Sequence, residues 1–380
     1  MKPVYLDYAA TTPLDERVLQ AMMPYLTDHF GNASSVYSFG RVARKAVAAA
    51  RSQVAALLQA DPSEIFFTSG GSESDNWILK GMALALRRAG KGSHIVTTQI
   101  EHPAVLNTCR YLEQAGFQVT YLPVDIDGRI MPKTVQEAVR EDTILVSVMT
   151  ANNEVGTIEP IAEIGAWLQQ QGIFFHTDAV QAAGHIPLAV DELHVDALSL
   201  SGHKIYGPKG TGVLYLRRGF QPDSLIHGGE QEHGMRAGTE NVAGIVGLGR
   251  AAELAYESLG AEWERLSELQ DRLIQEIRRI DGAWINGAIQ YRLPGNVNFG
   301  LDGLSHDTLL IRLDMAGFAV SAGSACSAGS LEPSHVLLAM GQTRIQAASA
   351  LRVSIGRFTT QAELQLFVRT LKDIVETLRK

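Results

Sequence analysis

The run Ser199-Leu-Ser-Gly-His-Lys204 places a primary amine just after an apolar stretch and just before a glycine-rich turn, YGPKGTG. Glycines let the backbone approach closely, so an amine held in such a pocket can condense with an aldehyde. A single lysine after a strand is usually a surface residue, and the adjacent Ser201 and His203 weaken that default. A second run, Thr68-Ser-Gly-Gly-Ser-Glu-Ser-Asp-Asn76, follows a predicted strand and opens a predicted helix. Exposed amides at a helix start attract phosphate, and Ser72 adds a hydroxyl there. A plain serine cap with Glu73 in the first turn explains the same residues. The run fits neither the dinucleotide nor the P-loop glycine pattern.

The third run is His176-Thr-Asp-Ala-Val-Gln181. Asp178 ends an apolar strand, where a carboxylate is costly unless paired. A protonated pyridine nitrogen would pair it and make that ring a better electron sink. Gln181 could donate to a phenolic oxygen of the same ring, and Asn153, in ANNEVGTIEP, could bond it too. His102 follows another predicted strand and could stack on the ring or shuttle protons, or be a hydrogen-bonded structural histidine.

These groups need elements to bring them together. Short apolar runs at 65–68, 95–98, 117–122, 144–149, 173–177, 197–200 and 212–216 read as strands. Helical spacing covers 42–60, 74–88, 103–115 and 160–171. That alternation predicts an α/β chain with a mostly parallel sheet, whose ligands sit beyond the carboxyl ends of the strands. After about residue 242 the pattern changes to long helices at 242–280 and 361–379, with a strand at 296–299 and a helix near 306–316. This predicts a smaller α+β domain. The expected division is 13–258 for the large domain, and 1–12 with 259–380 for the small one.

Bulk properties exclude several classes. The 380 residues carry a formal net charge of -8, 46% hydrophobic residues and 19% charged residues. The acidic balance disfavours direct nucleic-acid binding. No stretch has the length of a membrane span, and the start, MKPVYLDYAATTP, lacks a signal-peptide run. Two cysteines, Cys109 and Cys326, sit in no metal-ligand cluster, so no metal site is expected and a reduced, cytoplasmic chain is. Cys109 falls in a predicted helix and reads as structural. Cys326 lies in Ser321-Ala-Gly-Ser-Ala-Cys-Ser-Ala-Gly-Ser330, among small residues that would let a thiol move.

The motifs YLDYAATTP, TSGGSESDN, EHPAV, NNEVGTIEPI, HTDAVQAAG, SGHKIYGPKGTG, RAGTEN, SAGSACSAGSLEPSHVL and LRVSIGRFT run in order over nearly the whole chain. With them the sequence resembles the cysteine desulfurases of the aminotransferase-like superfamily, in the iron–sulfur-assembly and nitrogenase-maturation subgroup. The resemblance implies fold type I, pyridoxal 5'-phosphate as cofactor and a homodimer. It implies Lys204 as the Schiff-base lysine, Asp178 at the ring nitrogen, Gln181 near the phenolic oxygen and His102 against the ring. Gly71, Ser72, Ser201 and His203 match phosphate-binding positions, and Thr239 matches a threonine reaching the neighbouring subunit's cofactor phosphate. Asn153 and Arg352 match residues that hold the substrate carboxylate, and Cys326 matches the persulfide-forming cysteine.

The sequence departs from the common family pattern at Asn32-Ala-Ser-Ser-Val-Tyr37, at Gly228-Gly-Glu230, at His233 and at Gly202. None of these is a residue that the chemistry requires. The implied reaction takes sulfur from L-cysteine, leaves L-alanine, and passes the sulfur from Cys326 to an acceptor protein such as an iron–sulfur scaffold or a thiolation protein. A selenocysteine lyase, another lyase or aminotransferase, and a non-catalytic sulfur-trafficking scaffold are the competing readings. An aminotransferase or β-lyase would need Lys204, Asp178 and Arg352 but not Cys326, and the intact set of Lys204, Asp178, His102 and Cys326 argues against a scaffold without catalysis.

Overall fold

The computed structural model describes residues 3–322 and 333–380. Cys326, with Gly323 and Gly329, lies outside the described residues. The chain runs β1 (Val4–Tyr5), α1 (Glu16–Thr27), α2 (Ser38–Leu58), β2 (Ile65–Thr68), α3 (Gly71–Arg88), β3 (His94–Thr98), α4 (Pro103–Gln114), β4 (Gln118–Leu122), α5 (Pro132–Ala138), β5 (Thr143–Ser147), α6 (Ile161–Gln171), β6 (Phe174–Asp178), β7 (Ala197–Ser201) and β8 (Gly212–Leu216). It continues with α7 (Val242–Arg278), β9 (Ala283–Asn286), β10 (Asn296–Leu301), α8 (His306–Met315), β11 (Phe318–Ala319), α9 (His335–Ala339), α10 (Arg344–Ala347), β12 (Ala350–Ser354) and α11 (Gln361–Leu378).

Seven strands form one sheet in the order β2-β8-β7-β6-β5-β3-β4. Only β8 runs antiparallel to its neighbours. Strands β3, β5, β6, β7 and β8 are buried along their full length, as expected where helices cover both faces. On one face α3 and α4 contribute Trp77, Ile78, Leu79, Cys109 and Leu112 to a core. On the other, α2, α6 and α7 pack a larger one around Val54, Ile164, Leu198 and Leu248.

A smaller antiparallel sheet, β12-β10-β9, has its own core with α8 and α11, and β1 pairs in parallel with β11. Helix α7 passes unbroken through the expected boundary at 258. Its buried residues between Ile245 and Ala255 belong to the large core, and those between Leu266 and Ile277 to the small one. Val4 and Leu6 join the small core from the other end of the chain.

The expected helix at 74–88 begins earlier, at Gly71. The reason is a close approach of main chains: a Cβ on Gly212 of β8 would meet the Gly70 Cα at 2.5 Å, and one on Gly71 would meet Val180 Cγ2 at 2.5 Å. The two glycines after β2 let the chain turn at once into α3, which places Gly71 and Ser72 in its first turn. Gly202, one of the departures from the family pattern, sits where a Cβ would come 2.6 Å from Thr211 Oγ1.

Candidate active site

The carboxyl ends of β2, β3, β5, β6 and β7 surround a cavity of about 600 Å3, within the range of small-molecule sites. Gly71, Ser72, His102, Asn153, Asp178, Gln181, Ser201, His203, Lys204 and Arg352 all line it. The residues singled out from the sequence therefore converge, although they span most of the chain.

Lys204 closes a short 3-10 turn that follows β7. Its Nζ donates to the carbonyls of Ala9 at 2.5 Å and Ala10 at 2.8 Å. Gln181 Nε2 donates to the same Ala9 carbonyl at 2.9 Å. The segment after β1 thus lies against both polar ends of the β6 and β7 loops. It is tied down by Thr12, whose N–H donates to the His203 carbonyl at 2.9 Å.

At the start of α3 no side chain caps the helix. Glu73 folds back to accept from the Ser69 N–H at 2.8 Å and pairs with Arg236, leaving Ser72 exposed and outside the cap. The serine-cap explanation of this run does not hold: the N-cap residue is Gly70. Ser201 is buried beside it, and His203 Nδ1 lies 3.1 Å from Thr11 Oγ1. Burial, with Lys204 and Lys209 nearby, pushes His203 down to about 4, so its imidazole is neutral at physiological pH. This corner offers N–H and hydroxyl groups around a helix N-terminus, a donor set suited to phosphate.

Asp178 ends β6 with 5% of its surface exposed, and its Oδ1 accepts from the Val180 N–H at 2.9 Å. Burial raises its pKa, while His102 and Lys204 pull it back. His102 is the N-cap of α4: its Nδ1 accepts from the Ala104 N–H at 3.1 Å, so the proton of the neutral ring sits on Nε2. The structural reading of this histidine holds, and the same cap sets the direction of the ring in the cavity. Asp75, His102 and Asp178 each bring one ligand-type atom within 4.8 Å of the others. With Nε2 protonated, that arrangement suits hydrogen bonding and proton movement better than metal ligation.

Arg352 on β12 is 1% exposed. Its guanidinium donates to Asp7 Oδ1 at 2.7 Å and to the Asn153 carbonyl at 3.0 Å. A planar fork so placed can take a carboxylate in bidentate fashion, at a position that Asp7 now shares. Asp7 and the carbonyls of Ala9 and Ala10 were not singled out from the sequence, nor were Asp75, Glu154 and His335, which also line the cavity. Main-chain carbonyls leave no trace in residue type. Asp75 did leave one: an acid among Ser74, Trp77, Ile78 and Leu79, all on the buried side of α3.

Two sequence expectations are not brought to this cavity. Thr239 is exposed in the loop before α7 and is not part of the lining. Cys326 is outside the described residues. Cys109 is fully buried in α4, and burial pushes its thiol up to about 12, which fits the structural reading.

The donor set fits pyridoxal phosphate: an amine, a buried carboxylate at one end, an imidazole beside it, and an uncapped helix N-terminus at the other end. Residues 4–367 match the aminotransferase class-V family. The chain is 51% identical over 379 residues to "Cysteine desulfurase IscS" of Dictyoglomus turgidum, covering 100% of this chain and 96% of that one. A solved "NIFS-LIKE PROTEIN" superposes with a TM-score of 0.93 at 39% identity, over 99% of this chain and 100% of its own. "SspA in complex with cysteine" superposes with a TM-score of 0.82 at 39% identity, over 94% and 99% of the two chains.

Proposed function

The chain belongs to the aminotransferase class-V family, and on that premise we infer that it is a pyridoxal-phosphate-dependent cysteine desulfurase, converting L-cysteine to L-alanine. The observation that carries this reading is the meeting of Lys204, Asp178, His102 and Arg352 in one cavity. Lys204 is the residue to hold the cofactor, with Asp178 at its ring nitrogen, His102 against the ring and Gln181 at its phenolic oxygen. Gly71, Ser72, Ser201 and His203 serve its phosphate, joined in a homodimer by Thr239 from the partner chain. When bound, the cofactor supplies an electron sink for the charge left as the substrate α-proton departs.

The protein's own groups do the rest. Arg352 and Asn153 hold the substrate carboxylate and orient the α-carbon. Lys204, once released by the substrate, takes the α-proton at Nζ. His102, whose Nδ1 is engaged by the Ala104 N–H and whose ring lies close to the cavity acids, moves a proton at the substrate thiol. The Cys326 thiolate then attacks the substrate sulfur. The new S–S bond forms as the Cβ–S bond breaks, the bonding pair stays with the carbon fragment, and that fragment takes a proton to leave as alanine. Cysteine and the enzyme thiol thus become alanine and the enzyme persulfide, with no outside oxidant. An acceptor thiol on a second protein, an iron–sulfur scaffold or a thiolation protein, takes the sulfur by exchange.

No helix among the described residues is long and apolar enough to cross a membrane. The cytoplasm is the compartment this reading assigns, because a persulfide carrier with few cysteines suits reducing surroundings.

The test is the Cys326→Ala variant. It should bind the cofactor and cysteine as the native protein does, yet make no alanine above background. Peptide mapping of the native protein after one turnover should find the extra sulfur on Cys326. Sulfur on Cys109 instead, or normal alanine production by the variant, refutes the mechanism.

A further inference from the structure

Two buried acids of the cavity wall, Asp75 and Glu154, have no task in the proposed reaction, and Glu154 already accepts from the Ser334 hydroxyl. Asp75, in the second turn of α3, is 1% exposed and lines the cavity wall. Among the described residues its Oδ1 has no hydrogen-bond partner, and His176 Nε2 lies 3.6 Å from it. His176 is itself fully buried, with Nδ1 2.9 Å from Ser147 Oγ and Nε2 3.0 Å from Ser199 Oγ.

The groups facing Asp75 determine which acid carries the charge. Carboxyl oxygens of Asp75 and Asp178 lie within 4.8 Å of each other and of a His102 nitrogen. Two carboxylates so close in a water-poor site do not both ionise. His176 cannot neutralise one of them, because burial holds its pKa down at about 3. The cationic influences, from His102 and Lys204, fall on Asp178. Asp75 has only the Ser199 hydroxyl favouring its charged form, while burial, Asp178 and Glu101 all oppose it.

We propose that Asp75 is a positioning residue, a neutral carboxylic acid that faces Asp178 across the floor of the cavity and leaves Asp178 as the single anion available to a ring nitrogen. The proposal rests on the cofactor reading above. It gives a role to the buried acid on the sheet-facing side of α3: uncharged, it lies close to Asp178 without adding a second negative charge. The proton then needed at the ring stays with the ring.

Two measurements test this without following turnover. First, the resting holoenzyme is loaded with cofactor labelled with 15N in the ring. Asp178→Asn should move the ring nitrogen signal towards the unprotonated form, whereas Asp75→Asn, neutral for neutral, should leave it where the native protein has it. A displacement in Asp75→Asn as large as in Asp178→Asn overturns the proposal. Second, protein carrying 13C-carboxyl aspartate is studied by infrared spectroscopy at neutral pH, with and without cofactor. The native protein should show a protonated aspartic C=O band that Asp75→Asn, or Asp75→Ser if the first variant folds poorly, removes. Absence of that band from the native protein also overturns it. A chain that takes up no cofactor would refute the functional reading instead, and the infrared experiment would still decide the state of Asp75.

Discussion

Glu101 precedes His102 and is fully buried beneath it. Its Oε1 accepts from Thr98 Oγ1 at 2.8 Å and from the Met149 N–H at 2.9 Å, while Oε2 has no partner among the described residues. Burial, reinforced by Asp178, pushes this carboxyl up from 4.5 to about 8 against the two hydrogen bonds. Because the folded chain holds this proton more tightly than the unfolded one, the group's contribution to stability is complete below pH 4.5. It is lost as the pH rises to about 8, as the unfolded chain ionises and the folded one resists. At about 1.36 kcal/mol per unit over about 3.5 units, the ceiling is about 5 kcal/mol, and relaxation around the charged side chain brings it to about 3–5 kcal/mol. Glu101→Gln keeps both accepted hydrogen bonds and cannot ionise. The variant should therefore match the native protein near pH 4.5 and exceed it by about 3–5 kcal/mol at pH 9. Urea unfolding at matched cofactor occupancy, from pH 4.5 to 9, reads the difference. A native-minus-variant difference that stays flat across that range would show that Glu101 is charged in the fold, and the reasoning would fail.

Three further outcomes are expected. The purified protein should absorb at roughly 400 nm, and borohydride should fix the cofactor on Lys204; attachment at another lysine, found by peptide mapping, contradicts the assignment. At pH 8 the native protein should lose one thiol quickly to iodoacetamide and the urea-unfolded protein two, because a Cys109 thiol raised to about 12 is only about 1 part in 10,000 thiolate. Arg352→Lys should raise the KM for cysteine about tenfold to a hundredfold, since a point charge cannot replace the fork that Asp7 and the Asn153 carbonyl hold in place; an unchanged KM would remove Arg352 from the carboxylate site.

Most strands of the large sheet were legible in the sequence because they are short, fully buried apolar runs bounded by polar residues; the edge strand β4 is buried only at Leu122. Ile65–Thr68 and Gly212–Leu216 have the expected ends. Their order, and the reversal of β8, were not legible, since a run buried on both faces reads the same in either direction. The site was legible wherever a chemical type was unusual for its place: an acid ending β6, an amine after β7, a histidine before Pro103. It was illegible where the work falls to main-chain atoms or to long-range pairing. Nothing in the residue types of Ala9 and Ala10 indicates that their carbonyls receive Lys204. Similarly, the ion pair of Asp7 with Arg352 depends on how β1 and β12 are brought together by the small core.

That same pairing has a consequence for how the protein is made. The large sheet has all its strands once Leu216 has been synthesised. Its cavity wall nonetheless includes Arg352, and the segment after β1 is held by β12: the Ala9 N–H donates to Ser354 Oγ at 2.8 Å, and the Ser354 N–H to the Leu6 carbonyl at 2.8 Å. The amine that is to capture the cofactor is thus oriented by the segment after β1, which is itself anchored by β12, a strand translated after the whole large sheet. A nascent chain halted before β12 would have a folded sheet and an exposed, poorly aimed Lys204. Cofactor capture is therefore expected only after β12 has been made and has met the segment after β1.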